Sequence, residues 1–201
     1  VAQNLPHLAK LAHECIILDA CCLIDLHASG YMAEILQSLA CPVAVSRYVL
    51  EQEALSVHTL SSYTHETGSE TENAADDEPP LQQLFDSGII AVVDIETEAE
   101  ENALIDFAVY LDDGEAITCA IAVQRNWAVA STERKVASIM RDNFSHISVV
   151  PTQELIKHWV DQLRPAHEIV RQVINDIQVK ARYRPRKNHS LYEWWQTFAD
   201  D

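Results

Sequence analysis

Basic residues are scarce in this chain, with 14 Lys and Arg against 31 Asp and Glu and a formal net charge of −17. None lies between Arg47 and Arg125. A field of that sign repels nucleic acid over most of a surface. A nucleic-acid ligand would therefore need a metal-neutralised cleft, a basic tail or a bound partner; solubility alone is the other reading of the acidity. Glycine is also rare, at four residues, and neither G-x-x-x-x-G-K-S/T nor G-x-G-x-x-G occurs. That argues against a phosphate-cradling loop. The five cysteines form no C-x-x-C pair, which predicts buried reduced thiols rather than a disulfide or zinc site. The nine histidines include no H-E-x-x-H and read as scattered surface residues. Apolar runs such as Ile89 to Val93 are too short to span a bilayer. With no basic leader ahead of an apolar stretch, the expectation is a cytoplasmic protein without a membrane partner.

What the chain does contain is an alternation of short apolar runs and helical spacings. Cys15 to Leu18, Pro42 to Val45, Ile89 to Val93, Trp127 to Ala130 and Ile147 to Val150 read as five strands. Helical patterns fall between them, with Ser46 placed to cap a helix holding Val49, Leu50 and Glu53. The fold class this implies is α/β: a three-layer α/β/α sandwich with a mostly parallel central sheet. Residues 56–80 are rich in Ser, Thr, Glu and Asp and poor in large apolar residues, and they predict a mobile acidic loop inserted into a domain spanning 1–150. Residues 151–201 form a helical C-terminal extension, in which Thr152 caps the first helix and Ile169, Val170, Val173, Ile174 and Ile177 mark a buried face. The basic residues Lys180, Arg182, Arg184, Arg186 and Lys187 gather there, flanked by Tyr183, Tyr192, Trp194 and Trp195. Those aromatics have two readings, a docked terminal helix or a stacking platform for single-stranded RNA.

In an open parallel sheet, ligands bind where strands end and the following helices begin. Acidic residues recur at those places: Asp19 after the first strand, Glu53 with Glu51 beside it after the second, Glu115 behind the Asp112-Asp113-Gly114 turn, and Glu133 after the fourth. Each alone is explained by the helix dipole, which stabilises an acid at an N-terminus by about 0.3–1 kcal/mol. Together they offer the charged oxygen ligands that a hard divalent cation takes. Asp25, six residues beyond Asp19, reads as a solvated helix position. A phosphatase with an aspartyl nucleophile is disfavoured because no D-x-D follows the first strand.

Four segments carry a resemblance. They are the run Ile16 to Leu26 around Asp19, then Tyr48 to Leu55, then Asp112-Asp113-Gly114-Glu115-Ala116, then Ala130 to Lys135. In that order they resemble the motifs of PIN-domain proteins, over about Cys15 to Val150. The resemblance implies a Mg²⁺- or Mn²⁺-dependent ribonuclease of the toxin–antitoxin kind, with an RNA substrate and an antitoxin protein as partner, and it leaves a homodimer open. Carried over by position, Asp19, Glu115 and Glu133 would ligate the metal. Glu53 would hold the attacking water or a second ion, with Glu51 competing for that role. One departure stands out: the family's fourth motif usually has an Asp, often a pair, where this chain has Thr132-Glu133. The alternative function is a catalytically weak PIN-like module that acts by protein binding.

Overall fold

The computed structural model describes residues 13–53 and 81–199. The expected acidic loop at 56–80 lies outside the described residues. Four strands, β1 (Ile16–Leu18), β2 (Val43–Ser46), β3 (Ile90–Val93) and β4 (Ala128–Ala130), form one sheet. Every pairing is parallel and the spatial order is β3-β2-β1-β4.

The strands are apolar at nearly every position because both sheet faces are covered. Alternation of side chains divides them between two cores. Ile16, Leu18, Val43, Val45, Ile90, Ala128 and Ala130 point into one, and Ile17, Ala44 and Val129 into the other. The first core is closed by α1 (Ala20–Ala28), α2 (Met32–Gln37), α3 (Leu81–Asp86), α7 (Thr152–Leu163), α8 (His167–Lys180) and α9 (Tyr192–Gln196). The second is closed by α4 (Glu98–Ala108), α5 (Asp113–Arg125) and α6 (Arg134–Asn143). Gly88 supplies the positive φ of 74° that turns α3 into β3. The molecule is thus an α/β protein with an all-parallel sheet between helical layers. Among the described residues no helix is long and apolar enough to cross a membrane.

Three expectations are corrected. Ile147 to Val150 is not a fifth strand; only Val149 bridges Val129, held by the Val129 N–H to Ser148 O and Val150 N–H to Val129 O bonds. Pro151, with no N–H to continue a ladder, follows at once and α7 begins. Thr152 does not cap α7 from outside. It is the helix's first residue, and its hydroxyl donates to Asp25 Oδ2 at 2.6 Å. Asp25, expected in solvent, is 4 % exposed. Of the two readings of the terminal aromatics, the docked helix holds: Trp195 is fully buried in the first core, with Trp194 and Tyr183 packed against it. All five cysteines are free; Cys15, Cys22 and Cys119 are buried, and Cys21 and Cys41 are partly so.

Candidate functional site

Strand register builds the site. Leu18 pairs with Val45 on one side and Ala130 on the other, so the residues one step beyond, Asp19, Ser46 and Ser131, share a row at the carboxyl edge of the sheet. This is the edge at which open parallel sheets bind ligands. The Asp19 N–H donates to Ala130 O at 3.0 Å and extends the β1–β4 pairing to that row.

Asp19 is the N-cap of α1 and its Oδ1 accepts from the Ala20 N–H at 2.9 Å. Its Oδ2 accepts from the Ser131 hydroxyl at 2.8 Å and from the Cys21 thiol at 3.3 Å. Ser131 also takes the Glu133 N–H at 3.1 Å, and the Cys21 sulfur takes the Thr132 N–H at 3.3 Å. The turn that carries Glu133 is therefore fastened to the Asp19 carboxyl group. Glu133 caps α6 by backbone position alone and its side chain is exposed.

Glu115 arrives from the facing layer. Asp112 caps α5 and accepts the Glu115 N–H at 3.0 Å, and Tyr48, just past β2, donates its hydroxyl to Asp113 at 3.1 Å. The start of α5 is thereby tied to the end of β2.

Electrostatics show which of these groups face one another. Burial pushes the Asp19 carboxyl above its ordinary range, with Asp112 adding to the shift, while the bonds from Ser131, Cys21 and Ala20 oppose it. Burial also pushes Glu115 up to about 7, helped by the negative charges of Asp112, Asp19 and Glu133. Cys119, one turn along α5 from Glu115, is raised by burial and then by Asp19, Glu115 and Asp112. The groups acting on Glu115 through their charge are all acidic, which is the signature of carboxylates grouped without a counter-ion.

Asp19, Asp112, Glu115 and Glu133 thus lie near one edge of the sheet. They are not drawn together far enough to ligate one ion as they stand: among the described residues no group of three or more His, Cys, Asp or Glu could hold a metal. The donors are all carboxylate oxygens, a chemistry that suits a hard divalent cation. Glu51 goes elsewhere; it is exposed, 3.9 Å from Arg47 Nη1. Glu53 ends a short π-helical segment (Val49–Glu53), and its side chain lies outside the described residues. Ser46 does cap this segment, accepting the Val49 N–H at 3.2 Å.

No protein-family model matches the chain, and no curated protein matches it.

Ser131 is the residue that the sequence did not single out. Asp112 shapes the turn, capping α5, and its charge acts on Glu115 more than that of Asp19 or Glu133. Ser131 is the pivot between Asp19 and the Glu133 turn. The signal for Ser131 was its place one residue beyond β4, level with Asp19, which only the register makes visible.

Beside this edge lies a cleft of about 540 Å³. Ser131, Thr132 and Glu133 line it, together with Arg182, Arg184 and Arg186.

Proposed function

We infer that this chain is a PIN-like, Mg²⁺- or Mn²⁺-dependent endoribonuclease, the toxin half of a toxin–antitoxin pair, acting in the cytoplasm. The observation that carries the reading is the meeting of Asp19, Asp112, Glu115 and Glu133 at the carboxyl edge of a parallel sheet, with acidic neighbours raising Glu115. Asp19, Glu115 and Glu133 would hold the ion. A divalent ion there would supply a nucleophile at neutral pH and neutralise the scissile phosphate. The chain's own part is positional. Ser131 and the Ala20 N–H fix both Asp19 oxygens, and Asp112 fixes the start of the helix that presents Glu115. An antitoxin would mask the site and supply the regulation that such an activity needs.

The test is cleavage of single-stranded RNA by purified protein with Mn²⁺ or Mg²⁺, abolished by EDTA. Asp19→Asn, which keeps the side chain's shape and one of its two acceptor oxygens, should remove at least 99 % of the rate, about the 10²-fold scale expected for loss of a principal charged group. Cleavage that persists in the variant overturns the assignment.

A second reading, a catalytically weak module that binds a protein partner, is favoured by one observation: the described carboxylates do not close on a common metal position. It prevails if the wild type is inert with both metals while a defined partner binds through residues 151–201.

A further inference from the structure

We propose that the segment from Arg182 to His189 and the turn from Ser131 to Glu133 form a groove for the phosphodiester backbone of single-stranded RNA, leading it to the carboxylate edge. The inference rests on the nuclease reading of that edge.

The segment begins where α8 ends. Arg182 takes a left-handed backbone, φ 57°, and the Tyr183 N–H turns back to Ile177 O at 3.4 Å. From there to Arg186 the chain runs without helix or strand, and its burial alternates. Pro185 is buried, and Tyr183 packs edge-on against Trp195, with ring centroids 5.9 Å apart, while its hydroxyl donates to Gln153 Oε1. Arg182, Arg184 and Arg186 are exposed and line the cleft. An anchored irregular segment therefore presents arginines to the cleft at every second residue.

The charge is available for a ligand. Among the described residues neither Arg182 nor Arg184 forms an ion pair, and Arg186 reaches only the Thr132 carbonyl, at 3.5 Å. The cleft also contains Glu133 and the buried Glu154, the latter 3.4 Å from His189 Nε2. Three guanidinium groups against two carboxylates still contrast with a chain carrying 31 acidic and 14 basic residues. Guanidinium groups suit phosphate because they present paired N–H donors and stay charged. The groove meets the carboxylate edge at Glu133 and Ser131. Ser131 lines it and also donates to Asp19 at 2.8 Å.

The experiment is anisotropy of a short fluorescein-labelled single-stranded RNA with the full chain in EDTA, across a salt series. A labelled DNA of the same sequence runs beside it. Arg182→Gln/Arg184→Gln should bind RNA about tenfold more weakly near 0.1 M salt, with the log–log salt slope smaller by about 0.7 per lost contact, about 1.4 in all. Arg141→Gln, at an exposed position of α6 and paired with Asp142, should bind as the wild type does, and circular dichroism should show both variants folded. Equal binding by the double variant and the wild type overturns the groove. So does the absence of RNA binding by the wild type, or binding confined to DNA. Cleavage kinetics separate the two readings. If the double variant cleaves with unchanged KM, the groove falls and the nuclease stands. If binding depends on the arginines but neither metal supports cleavage, the groove stands and the nuclease falls.

Discussion

Two aspartates six residues apart on the same strand–helix unit are both buried, and what reaches each of them differs. Asp19 sits at a sheet edge among other acids. Asp25 lies in the interior beside Thr152 and Cys22, where burial pushes it up to about 7 against the hydrogen bond from Thr152. Between the ordinary carboxyl range and that value the folded chain keeps the Asp25 proton and the unfolded chain releases it. The unfolded state then binds fewer protons, so stability from this group is full at acid pH and falls as pH rises, by up to about 1.4 kcal/mol per pH unit. Asp25→Asn is uncharged at every pH and still accepts from Thr152. It should come close to the wild type near about pH 4 and exceed it by about 4 kcal/mol near about pH 7.5 in urea unfolding. A difference that does not change with pH would refute the account. None of this was legible in the sequence. Position six after Asp19 on a helix gives no hint that a residue more than a hundred positions away covers it.

At the scale of elements, the strands and helices were mostly legible because their apolar spacing is set by local geometry. Val43 to Val45 and Ile90 to Val93 declare themselves by being apolar throughout; the first run is buried at every residue, and in the second, an edge strand, Ile90 is. The exception at Ile147 to Val150 is instructive, since its apolar run is genuine but Pro151 leaves room for one bridge only. Helix α4 shows how much an end can do. Thr97 accepts the Glu100 N–H at 3.2 Å, and Glu100, itself buried, accepts from the Thr97 N–H at 3.1 Å and the Glu96 N–H at 2.7 Å. The other Glu100 oxygen takes Arg125 Nε, at 2.6 Å, so one capping box joins the start of α4 to the end of α5. Thr97→Ala should lower stability by about 1 kcal/mol, seen as a lower urea midpoint with an unchanged slope. Thr97→Ser should restore most of it; no change in midpoint for the alanine variant would show the box to be idle.

For the whole molecule, the C-terminal helices close a core that begins at β1. Trp159, Val173, Ile174, Ile177 and Trp195 are buried in the cluster that holds Ile16, Leu18 and Val45. A chain ending at Val150 would expose that sheet face, and its circular dichroism should show loss of cooperative folding. In the full chain Trp195→Ala should cost about 3–5 kcal/mol. A truncated chain that melts cooperatively at the wild-type temperature would show these helices to be dispensable. The candidate site was legible only as a set of strand ends: Asp19, Glu115 and Glu133 could be named, but their distances, the role of Ser131 and the position of the arginine segment depend on register and on long-range packing. That segment has a further meaning for how such a protein can change. Its even-numbered residues, Arg182, Arg184 and Arg186, address the surrounding water, and its odd-numbered ones, Tyr183 and Pro185, address the interior. Two kinds of instruction are interleaved in five residues without sharing a letter, so selection can rewrite the charge of the cleft while leaving the anchoring of the chain untouched.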